Sequence, residues 1–151
     1  VALRPNFRGV GLSEGQHDDG RGETEDLLAV LAEAKVRYGN LPVALAGFSF
    51  GAYVQTRVAE VLLELGRPAQ RLVLVGTASG FVEGARRYQT KAVPADTIVI
   101  HGSEDATVPL SNVIEWAKPL ELPVVVIPGA DHFFHRRLHV IREIVSRAWR
   151  H

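Results

Sequence analysis

Three residues able to carry out acyl transfer stand in the chain order Ser49, Asp105, His132, each just beyond a short apolar run. Gly47-Phe48-Ser49-Phe50-Gly51 follows Ala44-Leu45-Ala46; GSEDATVP, with Asp105, follows TIVIH; GADHFFH, with His132, follows VVVIP. A serine hydroxyl is a weak nucleophile, so it needs a base to take its proton, and the base needs a carboxylate to hold its tautomer. Nucleophile, acid and histidine, one after each of three different strands, is the order this chemistry takes on an open α/β sheet. Ser49 lies where a strand turns into a helix, a sharp turn that strains the central residue and demands small neighbours such as Gly47 and Gly51. Its hydroxyl then projects above the carboxyl ends of the strands, where such sheets bind ligands. The pentapeptide alone describes a helix N-cap equally well, so the inference rests on the three loops together.

Other ionisable residues compete for these roles. Glu104 adjoins Asp105 and offers a second carboxylate in the same loop. Asp96 precedes its strand and is expected at the opposite sheet edge, and Asp131 is expected to shape the turn before His132. His135 could replace His132 or pair with it at a metal, but no third ligand accompanies them, so no metal site is expected. His101, at a strand end, reads as a hydrogen-bonded core residue, and His17, His139 and His151 read as surface. Phe48 and Phe133, with Phe50 and Phe134, suggest an apolar substrate pocket, a feature that core packing explains equally well.

The elements that must position these loops are legible as apolar runs. Pro42 to Ala46, Arg71 to Val75, Thr97 to His101 and Pro123 to Ile127 read as buried strands, with a shorter one at Val1 to Arg4. Their continuous apolarity implies a parallel sheet covered on both faces. Helical spacing of apolar residues marks Glu25 to Tyr38, with Thr24 as N-cap, Phe50 to Leu65, Leu110 to Ala117 and Leu138 to Trp149. The alternation gives an α/β fold with right-handed crossovers; Gly76 to Asp96 is too polar and glycine-broken to assign.

Bulk composition narrows the function classes. The 151 residues fit one domain, and Lys plus Arg balance Asp plus Glu at 17 each, leaving no field to recruit nucleic acid or an anionic membrane. No cysteine is present, which removes disulfides and thiol nucleophiles. No apolar run approaches a membrane span and VALRPNFRG has no signal-peptide core, so a cytoplasmic location is expected.

Together RPNFRGVGLSEG, ALAGFSFGAYV, LVLVGTASG, VIHGSEDATVP and VVVIPGADHFF span nearly the whole chain and resemble the α/β-hydrolase superfamily. They are most similar to its small bacterial members without a cap domain, of dienelactone-hydrolase-like type. The resemblance implies Ser49 as nucleophile, Asp105 rather than Glu104 as orienting acid, His132 as general base and the Phe50 N–H as one oxyanion-hole donor. It implies no cofactor. Arg8 to Gly15 resembles the family's loop after the fourth strand; Glu14 breaks any G-x-G-x-x-G pattern, so no dinucleotide site is expected.

The superfamily sheet has eight strands and this chain resembles the fourth to eighth. The expectation is therefore one α/β-hydrolase domain over residues 1–151, N-terminally incomplete, without the first three strands or the second oxyanion donor. The alternatives are a minimal variant in which Val1 to Arg4 pairs directly with Pro42 to Ala46, or a folded chain of poor activity. The expected function is a serine hydrolase cleaving a carboxylic ester, thioester or related acyl bond of a small molecule through an acyl-serine intermediate. Its rivals are a non-catalytic binding module of the same fold and a fragment that needs a missing segment or partner.

Overall fold

A computed structural model describes residues 1–82, 84 and 86–149. The chain runs α1 (Arg21–Tyr38), β1 (Ala44–Phe48), α2 (Phe50–Glu64), β2 (Arg71–Val75), β3 (Gly80–Val82), β4 (Arg86–Tyr88), β5 (Ile98–Gly102), α3 (Leu110–Ala117), a 3₁₀ turn (Lys118–Leu120), β6 (Val124–Ile127) and α4 (Leu138–Ala148). The main sheet is parallel throughout, in the order β1-β2-β5-β6. No helix among the described residues is long and apolar enough to cross a membrane.

The continuous apolarity of the strands has the expected cause: the sheet is covered on both faces. Leu45, Leu72, Leu74 and Val99 pack against Ala52, Tyr53, Val54 and Val58 of α2 and Val113 and Ala117 of α3. On the opposite face Ile100 and Ile127 gather Val75, Ile98 and the stripe Val140, Ile141, Ile144 and Val145 of α4. Burial of these side chains is the main driving force holding helices to sheet. Coverage thins at β1, where Ala44 and Ala46 are exposed.

Several boundaries differ from expectation. β1 begins at Ala44 rather than Pro42, since its ladder runs from Ala44 opposite Arg71 to Phe48 opposite Val75. α1 starts at Arg21, four residues before the expected Glu25, and its N-cap is Gly20 rather than Thr24. The cause is Glu23, fully buried, whose carboxylate accepts the N–H groups of Asp18 and Gly20, both at 2.9 Å. Val1 to Arg4 is not a strand: it joins no ladder, and Val1 and Leu3 are exposed. The unassigned link holds the antiparallel hairpin β3–β4, pinned by Asn112, whose Nδ2 donates to the carbonyls of Ser79 and Phe81.

Candidate active site

The loops that follow the strands are stitched into one edge by the backbone. Ser49 N–H donates to the Val75 carbonyl (2.9 Å), Gly76 N–H to Ile100 (2.9 Å) and Ser103 N–H to Ile127 (3.1 Å). Each bond continues the parallel ladder one residue past its strand. The residues that follow are thereby brought to the same end of the sheet.

Ser49 sits between β1 and α2 with φ 53° and ψ −119°, a left-handed conformation that costs a non-glycine residue free energy and is held by its surroundings. Its carbonyl accepts N–H groups from Tyr53 and from Ala78 in the next loop, each at 3.2 Å. The two flanking glycines differ. A Cβ on Gly47 would stand 2.5 Å from the Gly51 carbonyl oxygen and 2.6 Å from Ala52 N, so only glycine fits. A Cβ on Gly51 would meet nothing nearer than the Phe7 ring at 3.7 Å, so the steric demand expected there is absent.

The structure brings Ser49, His132 and Asp105 into one hydrogen-bonded chain. His132 Nε2 lies 2.9 Å from Ser49 Oγ, and His132 Nδ1 lies 2.7 Å from Asp105 Oδ2. Asp105 Oδ1 accepts the backbone N–H groups of Thr107 (3.0 Å) and Val108 (2.7 Å). A carboxylate accepts only, so the neutral imidazole carries its proton on Nδ1 and leaves Nε2 free to accept from the serine. Asp105 and His132 are 6% and 5% exposed, so water screens this chain little. Gly102 lets their loops meet: a Cβ there would be 2.3 Å from the Ala130 carbonyl oxygen.

The competing residues lie elsewhere or are otherwise engaged. Glu104 is exposed, and its N–H bonds the Ala130 carbonyl. Asp96 is at the far end of the sheet, 3.4 Å from Arg71 at the start of β2. Asp131 accepts both the N–H and the ring Nδ1 of His135, and these bonds hold its carboxyl below the usual range. His101 is buried and hydrogen-bonded, as expected of it, with Nε2 2.9 Å from the Val108 carbonyl. His139 is exposed, whereas His151 lies outside the described residues. His17 is exposed, as expected of it, while its ring packs on Phe50 at 4.9 Å and its Nδ1 stands 3.2 Å from Glu23.

Phe50 opens α2, where first-turn N–H groups have no acceptor within the helix. Its ring is turned into a cluster with Phe7, His17, Tyr53 and Tyr88. Phe134 is buried in the core beside Ile100 and Ile127. Phe48 and Phe133 are exposed and flank the His132 ring at 5.0 and 5.2 Å between centroids. Gly76 adjoins them, for a Cβ there would be 3.3 Å from Phe48 and 3.5 Å from His132. That loop went unnoticed as a neighbour of His132; its signal was its place after β2, between the other two strand ends.

Comparison with known proteins agrees with this architecture. No family model matches the chain. A structure from Xanthomonas campestris, described as an α/β serine hydrolase without lid, is 35% identical with a TM-score of 0.80, over 96% of this chain and 63% of that one. An α/β serine hydrolase homologue from Coxiella burnetii is 39% identical with a TM-score of 0.74, over 94% and 65% of the two chains. A protein of Xanthomonas campestris pv. campestris assigned to the α/β hydrolase superfamily is 30% identical with a TM-score of 0.59, over 89% and 68%. The chain spans 63% and 52% of two curated relatives, an uncharacterised protein of Rickettsia prowazekii (32% identical) and human ABHD12B (27% identical). A 30% identical relative covered over two thirds of its length, with the parallel sheet and serine elbow described above, shows that the chain belongs to the α/β-hydrolase superfamily.

Proposed function

We propose that this chain carries the nucleophile, acid and base of a serine hydrolase that cleaves a carboxylic ester, thioester or related acyl bond. The observation that carries the reading is the continuous path from Ser49 Oγ through the His132 ring to Asp105. In the first half-reaction His132 Nε2 takes the hydroxyl proton as Ser49 Oγ attacks the acyl carbon. The resulting imidazolium lies against the Asp105 carboxylate and then protonates the leaving oxygen or sulfur. Water attacks the acyl-Ser49 intermediate in the second half, with His132 again accepting the proton. The N–H of Phe50, at the N-terminus of α2, is the proposed donor to the oxyanion.

Substrate preference follows from what surrounds the histidine. The exposed rings of Phe48 and Phe133, 6.1 Å apart, offer an apolar shelf for an acyl chain. Between β2 and β5 the regular elements among the described residues are the three-residue strands β3 and β4, which favours an open site and small or exposed substrates. The description of the Xanthomonas relative as lacking a lid supports the same reading.

Hydrolysis of p-nitrophenyl esters from acetate to decanoate, by this chain and by Ser49→Ala, tests the proposal. Activity that disappears in the folded S49A variant is the expected outcome, with longer acyl chains favoured until they outrun the Phe48–Phe133 shelf. A folded wild-type chain without activity would overturn the claim that these 151 residues act alone. Equal activity in S49A would overturn the assignment of the nucleophile.

A further inference from the structure

One buried histidine is unused by the chemistry above. His101, next to last in β5, has no exposed surface, its Nε2 2.9 Å from the Val108 carbonyl and 3.3 Å from Asp105 Oδ2. The Val108 carbonyl only accepts, so Nε2 carries the proton and donates to it, while buried Nδ1 has no hydrogen-bond partner among the described residues. Val108 in turn gives its N–H to Asp105 Oδ1. Histidine, Val108 and carboxylate thus form a hydrogen-bonded chain that ends on the residue facing His132 Nδ1.

We propose that His101 is a positioning residue for Asp105, its Nε2–H holding the Val108 carbonyl and so fixing the loop 105–108, whose amides grip the carboxylate. The proposal rests on the serine-hydrolase reading for its kinetic consequences, but its physical content lies in the folded chain itself. Burial pushes the His101 pKa down, which favours a neutral ring that gives its N–H to Val108 without adding a cation beside Asp105. A hydrophobic residue could fill the volume; it could not supply that N–H.

The experiment compares His101→Gln, whose Nε can occupy the place of the ring Nε2, with His101→Met, which has no donor. His101→Met is expected to lower kcat about 10-fold with KM unchanged. His101→Gln is expected to restore turnover to within about 3-fold of wild type. Equal kcat in the two variants would overturn the proposal, whatever their melting temperatures. Should H101M fail to fold, His101→Asn replaces it, since its amide reaches only the Nδ1 side. If the wild-type chain hydrolyses no ester, the claim that these residues act alone fails, while hydrogen exchange of the Thr107 and Val108 amides still decides this one: faster exchange in H101M than in H101Q is expected, and equal rates would overturn it.

Discussion

Asp105 uses both oxygens, one toward the amides of Thr107 and Val108 and one toward the His132 ring. An asparagine in its place cannot satisfy both sides as an acceptor: its NH₂ must face either the backbone donors or Nδ1. Facing Nδ1, it stabilises the tautomer that has a proton on Nε2, which cannot accept from Ser49. Asp105→Asn is therefore expected to fold and to lose about 10³- to 10⁴-fold in kcat on the p-nitrophenyl esters. Near wild-type turnover would reassign the acid, with Glu104 the nearest carboxylate in sequence. At this scale the sequence was legible wherever position relative to a strand end decides the matter. Ser49, Asp105 and His132 are found in contact, and Asp96 is found at the other edge. The difference between Gly47 and Gly51 was not legible, because it depends on where the backbone of α2 passes in three dimensions.

Elements were read from apolar spacing, and they departed from it where polar groups or missing neighbours set the boundary. α1 begins early because the carboxylate of Glu23 satisfies two N–H groups ahead of the apolar stripe, a feature no periodicity records. Glu23→Ala would leave both donors without this acceptor in a buried setting and free His17 from its contact. The variant is expected to lose about 2–4 kcal/mol of stability, read as a lower urea midpoint with an unchanged m-value. A loss below about 0.5 kcal/mol would mean that water replaces the carboxylate and that the helix start is held by packing instead. The opposite error occurred at Val1 to Arg4, where an apolar run has the composition of a strand but joins no ladder. Being a strand is a property of a pair, and a single sequence shows only one member. The hairpin β3–β4 was missed for its shortness: three residues a side, with Arg86 and Arg87 in one strand, give no period to detect.

At the scale of the sheet, the order β1-β2-β5-β6 among the described residues leaves the strand that leads into Ser49 at one edge. Among the described residues β1 is paired with β2 alone, and Ala44 and Ala46 on it are exposed. An uncovered strand with small, uncharged side chains presents a row of backbone donors and acceptors to any other chain. Self-association through this edge is the expected consequence, visible as a concentration-dependent sedimentation coefficient. Ala44→Lys places a charge on the edge, five residues before Ser49, and is expected to weaken association about 10-fold while ester hydrolysis persists. A wild-type chain that remains monomeric at every concentration would show that the edge is protected by its own twist. Association unchanged in A44K would move the contact to another apolar surface, such as the exposed rings of Phe48 and Phe133 beside His132. In that case long-chain esters should compete with association, because Phe133 flanks the base and one apolar surface would serve both partners.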